Sequence, residues 1–500
     1  MSDLMKLQNG SDVRGIAVEG VADEPVNLTP AIANRIGQAF VEWLSKKTGK
    51  ACNELKVGIG RDSRISGPAL EEEAVKGMKA AGAAVTRCGL ATTPSMFMSI
   101  VFDKTAFDGS VMITASHLPY NRNGLKFFDK DGGLEHDDIT DILKIACGKT
   151  EAACDISGCA QFNLLELYAS HLRSSICKGL DSTEADAPLK GLKITVDAGN
   201  GAGGFFASEI LAKLGADITG SQFLDPDGMF PNHIPNPENK AAMEAIKSAV
   251  LNNKADLGLI FDTDVDRMSA VFANGEEVNR DAIIAMIAAI LAPENPGSTI
   301  ITDSVTSDRL TYFLEEVLGL KHLCYMRGYK NVINKQKELN AAGTNAPLAM
   351  ETSGHGALKE NYYLDDGAYL AVKMVIALAK ANKKGQRLDS LIEKLPPLVE
   401  EGEYRFKIKT EDFKSYGKDV LAQFKARAEK ADYKLPQSFE GVRISFDGDA
   451  KGWMLLRLSL HDPVMPLNIE GSRKGDVEKI KTIAKELLAG FDELDMSALN

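Results

Sequence analysis

Basic residues are in short supply in this sequence. Lys and Arg number 58 against 70 Asp and Glu, a formal charge of -12 over 500 residues. A nucleic-acid binder needs a basic face to neutralise phosphates, so this balance argues against that class. A small anionic ligand needs only local cations and stays open. Cysteine is sparse as well: Cys52, Cys88, Cys147, Cys154, Cys159, Cys177 and Cys324, with no pair at the two-residue spacing of zinc or redox motifs. An odd number of scattered thiols suits a reducing compartment, so the expected location is the cytoplasm. No apolar run is long enough for a bilayer; the longest, Ala282 to Pro293, reads as a buried helix. The stretch from Met1 to Gly15 has no apolar segment of signal-peptide type. No membrane partner is expected.

What is present is ordinary globular composition, 44% hydrophobic and 26% charged. At this length one core does not suffice, and several domains are expected. Three segments share a pattern of apolar strand, turn rich in Gly or Ser/Asp, helix and second strand. The first runs from Lys56 through a helix near Leu70–Ala81 to Ala84–Val85. The second runs from Lys193 through Phe206–Leu214 to Ala216–Ile218. The third runs from Ser298 through Leu310–Leu318 to Leu323–Met326. Such units imply parallel strands and three related α/β domains with mixed, mainly parallel sheets. The last hundred residues differ. Val442–Phe446 and Trp453–Leu460 flank a turn at Asp447–Gly452, and a helix follows from Asp476 to Leu488. They read as a smaller C-terminal α+β domain. The expected divisions are 1–160, 161–276, 277–395 and 396–500.

Chemistry concentrates in a few loops. Thr114-Ala115-Ser116-His117 follows the strand Gly109–Ile113, where open α/β sheets bind ligands. A serine there is either a nucleophile or the cap of the next turn. Pro119, Asn123, Gly124 and Lys126 form a turn that returns a cation toward it, which favours the nucleophile. Asp262-Thr263-Asp264-Val265-Asp266-Arg267 follows the apolar strand Leu257–Phe261. Carboxylates ~4 Å apart repel by about 4 kcal/mol per pair at an effective dielectric of ~20. A hard cation relieves this, and an oxygen-only set points to Mg²⁺ or Ca²⁺. An EF-hand loop would need Gly at Arg267 and Glu at Ala273, so that reading fails. The bland alternative is a solvated acidic turn.

Other motifs divide less cleanly. Gly199-Asn200-Gly201-Ala202-Gly203-Gly204 fits a dinucleotide fingerprint, but no acid ends the following strand at Ile218-Thr219-Gly220. A tight structural turn fits better. Glu351-Thr352-Ser353-Gly354-His355 either grips sugar hydroxyls, with His355 moving protons, or is structural. Asp365-Asp366-Gly367 reads as a helix N-cap. Arg457, Ser459 and His461 suit a phosphate cradle, although Arg457 taken singly reads as a solvated strand residue. Arg14, Arg61 and Arg64 sit on early loops and are ambiguous alone.

Together these segments resemble the α-D-phosphohexomutases, over nearly the whole chain and in order. Asp12-Val13-Arg14-Gly15, Gly60-Arg61-Asp62-Ser63-Arg64 and Thr93-Pro94 match family motifs. So do the phosphoserine loop Thr114 to Lys126, the metal loop Asp262 to Arg267 and Gly328-Tyr329-Lys330. The sugar loop Glu351 to His355 and the phosphate loop Arg457 to Pro463 complete the set. Met350 replaces a family Gly, Leu118 a family Asn, and Leu460-His461-Asp462 a polar run.

The resemblance implies four domains around a central cleft and a phosphoserine at Ser116. Its Mg²⁺ would be held by Asp262, Asp264, Asp266 and the Ser116 oxygen. Lys126, His355 and Arg267 become catalytic candidates, with Lys126 and His355 as acid and base. Arg14, His117, Lys330, Glu351, Ser353, Arg457, Ser459 and His461 become substrate contacts. The implied reaction interconverts hexose 1-phosphate and 6-phosphate, of mannose or glucose, with a hexose 1,6-bisphosphate as primer or intermediate. Phosphoglucosamine as substrate, a metal-dependent phosphatase, a nicotinamide enzyme built on Gly199–Gly204 and a silent phosphosugar-binding protein are the alternatives.

Overall fold

The computed structural model describes residues 3–459 and 462–499. The chain forms two compact units, one of residues 1–279 and 353–390, the other of residues 280–352 and 391–500. No described helix is long and apolar enough to cross a membrane.

The first unit holds two mixed sheets. In one, the strands Lys56–Arg61, Gly109–Ile113 and Ala84–Leu90 run parallel, and Arg122–Asp129 and Asp12–Ile16 extend the sheet antiparallel beyond Gly109–Ile113. Gly109–Ile113 is buried throughout, as a central strand must be. The helix Pro30–Thr48 packs against this sheet's core. Its ends follow from composition: the Thr29 hydroxyl accepts the Ile32 N–H, proline opens the first turn, and Gly49 closes the last in the left-handed region at φ 73°. In the second sheet Ile194–Asp197 runs parallel to Leu257–Phe261, which forms a hairpin with Met268–Phe272. Residues 262–267 are the loop of that hairpin.

The second unit carries the parallel strands Lys321–Cys324, Thr299–Thr302 and Leu348–Met350. It also has an antiparallel sheet ordered Val442–Asp447, Lys451–Leu456, Val464–Gly471, Glu400–Ile408, Leu494–Asp495. The helices Phe413–Lys430 and Asp476–Leu487 share a core with this sheet. The helix expected over the long apolar run is Asp281–Leu291, largely buried.

Several expectations change. Ala216–Ile218 is not a strand; only Asp217 bridges to Lys193, because Gly215 and the turn ending in Gly220 leave no room for a ladder. The second hairpin strand stops at Leu456, not Leu460. Arg14 stands within the strand Asp12–Ile16 rather than on a loop, and Lys126 within Arg122–Asp129 rather than in a turn. The helices of the second and third repeats both contain a π turn, at Phe206–Leu211 and Phe313–Val317.

A buried charge anchors the second sheet. His233 Nε2 lies 3.1 Å from both oxygens of Asp197, and Nδ1 lies 3.0 Å from the Ile234 carbonyl. Carboxylate and carbonyl only accept, so both ring nitrogens donate and the ring is an imidazolium. Burial alone lowers its pKa, but hydrogen bonding and charge from Asp197, with the Ile234 carbonyl, raise it overall. A raised folded-state pKa stabilises fully below the unfolded value of about 6.5 and is lost as pH climbs through the folded value. The stability gap between the parent and His233→Gln should therefore be constant below about pH 6.5 and narrow above it. Thermal unfolding of both proteins across pH reads this; a gap that widens with alkalinity would refute it.

Candidate active site

The hairpin loop 262–267 brings three carboxylates together inside the first unit. Asp262, Asp264 and Asp266 each offer an oxygen within 4.8 Å of the others, and all three are buried. Val265 between them has φ 66°, an outlier for a β-branched residue. Such strain persists only where the surroundings enforce it. The Gly367 N–H donates to the Val265 carbonyl at 3.1 Å, and the Ala202 N–H to the Thr263 carbonyl at 2.8 Å. A Cβ on Gly201 would meet the Thr263 oxygen at 2.6 Å, and one on Gly367 would meet the Arg267 backbone carbon at 2.6 Å. Gly201, within the run that imitates a dinucleotide fingerprint, is thus required by its close approach to the acidic loop, while Gly204 makes room for the Leu224 carbonyl.

Lys126 reaches in from the other sheet, donating to Asp264 Oδ2 at 3.1 Å and Asp266 Oδ2 at 2.5 Å. The Thr93 hydroxyl also donates to Asp264 Oδ2, and its N–H to the Asp264 carbonyl at 2.9 Å. Burial, then the charges of Asp266 and Asp264, push Asp262 well above the usual carboxylate range. Burial pushes Asp266 the same way, but the neighbouring cations, Lys126 foremost and then Arg267, outweigh it and hold that carboxyl well below its ordinary value. Asp264 Oδ1 and Asp266 Oδ1 are buried without a hydrogen-bond partner among the described residues. Orphaned oxygens in an oxygen-only set with excess negative charge fit a hard divalent cation.

Ser116 lies beside this cluster. Its hydroxyl donates to Asp262 Oδ2 at 2.9 Å and accepts from Arg267 Nη2 at 3.0 Å. It too is left-handed, with φ 52°, and buried. Arg64 explains how the loop holds that shape. Its guanidinium is wholly buried and donates to the Ser116 carbonyl, to those of Leu118 and Pro119 at 2.7 Å, and to that of Arg122 at 3.0 Å. Asp62 pairs with Arg64 Nε at 3.2 Å and accepts the Thr114 hydroxyl at 2.7 Å. That hydroxyl in turn accepts the Ser116 N–H at 2.9 Å.

Arg267 is the hub. Nη2 also donates to His117 Nδ1 at 2.5 Å, and Nε to His355 Nε2 at 3.1 Å. Since Nε2 accepts, His355 carries its proton on Nδ1, which donates to Ser353 Oγ at 3.0 Å. Burial first, then Arg267, lower the His355 pKa. Burial, Arg267 and Arg14 push His117 down to about 2. Both rings are neutral at neutral pH.

The first unit therefore gathers Ser116, His117, Lys126, Asp262, Asp264, Asp266, Arg267, Ser353 and His355. Arg14 donates to its neighbour Asp12 at 2.9 Å. Arg61 pairs with Glu71 at 3.1 Å, a structural role. In the second unit, buried Glu351 accepts the Gly328 N–H at 2.6 Å, and Lys330 stands in the first turn of the helix Tyr329–Ala341. The Ser459 hydroxyl accepts the Asp462 N–H at 3.2 Å. His461 and Leu460 lie outside the described residues. Asp366 caps the helix Gly367–Lys383 as expected, accepting the Tyr369 N–H at 2.8 Å. Sequence reasoning left Arg64 and Thr93 without a role and read Asp365, which stands 3.6 Å from His355, only as part of a helix cap. Arg64 and Thr93 were visible only as motif members.

Comparison with known proteins agrees with this geometry. Models of the phosphoglucomutase/phosphomannomutase alpha/beta/alpha domains I, II and III match residues 5–152, 166–275 and 279–398. A phosphomannomutase/phosphoglucomutase of Pseudomonas syringae pv. tomato is 30% identical over 477 residues, 94% of this chain and 93% of the relative. A phosphoglucomutase of Neisseria gonorrhoeae is 28% identical over 479 residues, 95% of each. The solved structure of a phosphoglucomutase/phosphomannomutase family protein from Burkholderia thailandensis superposes with TM-score 0.78, at 25% identity and covering 98% of each chain. The chain belongs to the phosphoglucomutase/phosphomannomutase family. It is a phosphohexomutase, an isomerase that relocates a phosphoryl group.

Two expectations follow from the geometry. Asp264→Asn should weaken Mg²⁺ binding by more than the ~10–100-fold typical of losing an outer-shell partner. Calorimetric titration measures it; parent-like affinity would take the loop out of metal binding. Arg64→Met strands the buried Asp62 carboxylate and should destabilise by about 3–5 kcal/mol. It should also speed hydrogen exchange at residues 114–122, and parent-like protection there would show that the loop holds itself.

Proposed function

We propose that the chain interconverts hexose 1-phosphates and hexose 6-phosphates, of mannose or glucose, through a phosphoserine at Ser116 and a hexose 1,6-bisphosphate intermediate. The carrying observation is the Ser116 hydroxyl, held in a strained left-handed loop between Asp262 and Arg267.

In the forward half, a sugar hydroxyl attacks the phosphorus of phosphorylated Ser116. The bond from phosphorus to Ser116 Oγ breaks, the bond to the sugar oxygen forms, and the hydroxyl proton passes to a base. His355 suits that base: it is neutral, with Nδ1 fixed on Ser353 and the Nε2 lone pair presented to Arg267. A proton on Nε2 requires Arg267 Nε to let go, so Arg267 couples proton movement to charge on the phosphoryl oxygens. Lys126 acts as the acid that returns a proton to the leaving Ser116 oxygen, and with Arg267 it supplies positive charge there, where electrostatic stabilisation counts most. When bound by Asp262, Asp264, Asp266 and the serine oxygen, Mg²⁺ neutralises the transferring phosphoryl group. The bisphosphate then turns over and returns its other phosphate to Ser116.

Arg14 and His117 contact phosphate oxygens near Ser116, and Glu351, Ser353 and Lys330 hold sugar hydroxyls. Arg457, Ser459 and His461 hold the phosphate that is not transferred. This reading divides the chain into domains at 1–160, 161–276, 277–395 and 396–500. A relative named as a probable phosphoglucosamine mutase, from Methanocella arvoryzae, is 29% identical over 462 residues, so glucosamine phosphate belongs in the substrate panel.

Ser116→Ala should lose covalent phosphate by intact mass and nearly all interconversion of glucose and mannose phosphates, with an unchanged circular dichroism spectrum. Turnover at the parent rate would overturn the phosphoserine reading. Steady release of inorganic phosphate by the parent, without isomerisation, would make it a phosphatase.

A further inference from the structure

The second unit places two arginines, each at ion-pair distance from a different carboxylate, Arg327 from Asp303 and Arg457 from Glu440. Its strands Thr299–Thr302, Lys321–Cys324 and Leu348–Met350 are parallel, and Asp303, Arg327 and Glu351 sit on or beside the loops leaving their C-terminal ends. Ligand-binding side chains collect at that edge of a parallel sheet. Glu440, just before the strand Val442–Asp447, reaches the same place. Its Oε2 accepts the Arg327 backbone N–H at 3.3 Å; its Oε1 accepts the Ser304 hydroxyl and lies 3.8 Å from Arg457 Nε. The packing of Tyr325 on Phe439, ring centroids 4.8 Å apart, fixes this junction. Arg327 Nε in turn stands 4.0 Å from Asp303 Oδ2, which accepts the Thr352 hydroxyl at 2.9 Å.

The 3.8 Å separation of Arg457 from Glu440 is an ion pair without a hydrogen bond. Arg457 Nε is buried and has no hydrogen-bond partner among the described residues. Burial and then the charge of Arg327 are the leading influences on Arg457, ahead of the attraction to Glu440. Glu440 brings both arginines to one edge of the sheet, where a single anion can serve both cations. A phosphate dianion matches two guanidinium forks better than a carboxylate, since it presents three acceptor oxygens. Arg327 keeps 31% of its side chain exposed, against none for Asp303, so this cation faces outward with its acid behind it.

We propose that Arg327 is a second phosphate-binding residue, acting with Arg457 on the phosphate that is not transferred, and that Glu440 is the positioning residue that sets the pair. The inference rests on the mutase reading above. It goes beyond that reading by adding Arg327, a residue no motif singled out, to the contacts of that phosphate. The competing account makes Arg327, Glu440 and Asp303 a structural tie within the second unit.

The test compares the parent with Arg327→Ala, Arg327→Lys and Glu440→Gln. It reads KM and kcat on glucose 1-phosphate and calorimetric affinity for glucose 1,6-bisphosphate. Removing one charge-assisted contact should raise KM and Kd about ten- to a hundredfold in Arg327→Ala. Arg327→Lys should recover part of the loss, because it keeps the charge but not the fork. Glu440→Gln should raise KM more than it lowers kcat. Arg327→Ala with parent-like Kd and a lowered melting temperature would establish the structural tie and overturn the proposal. A parent that binds the bisphosphate without isomerising sugars would fail the mutase reading alone, and the Kd comparison would still decide Arg327.

Discussion

The mutual repulsion of Asp262, Asp264 and Asp266 is the constraint on which the rest of the first unit depends. Carboxylates this close in a buried loop repel by several kcal/mol per pair, ~4 at an effective dielectric of ~20. The fold answers with Lys126 on a strand of the other sheet and Arg267 at the loop's end. It also answers with backbone: glycines at 201 and 367 let the chain close on the loop where no Cβ fits. A left-handed valine in the middle is the residue of that compression.

The same logic shapes the serine loop. Ser116 takes a backbone conformation that a serine rarely adopts, and the loop's carbonyls converge on one buried guanidinium. Arg64 is affordable there only because Asp62 pairs with it and four carbonyls take its protons. The strain and the fixation together present an otherwise ordinary hydroxyl to a carboxylate on one side and a guanidinium on the other. Arg267 then links that hydroxyl to two histidines whose protonation it suppresses.

The second unit solves a different electrostatic problem. Arg327 and Arg457 each stand at ion-pair distance from an acid, 4.0 Å from Asp303 and 3.8 Å from Glu440. An anion with more acceptor oxygens than a carboxylate outcompetes such partners. That arrangement suits recognition of phosphate irrespective of the sugar that bears it.

The sequence by itself determined the parts with local causes. Apolar strands at Gly109–Ile113 and Leu257–Phe261 placed the serine and aspartate loops at strand ends, and alternate aspartates announced a cation. Asp366 as a helix cap was legible because capping is a contact over three residues. Motif order carried the family. Tertiary structure alone decided what crosses the chain: Lys126 reaching residues more than a hundred positions away, Arg64 gripping the serine loop, and the pairing of Arg457 with Arg327 around Glu440. It also decided that Ala216–Ile218 would not be a strand and that Arg14 would be in one. Local pattern reports which face of an element is buried; the partner of a buried charge is chosen by packing, because any acid brought close enough lowers the energy equally well.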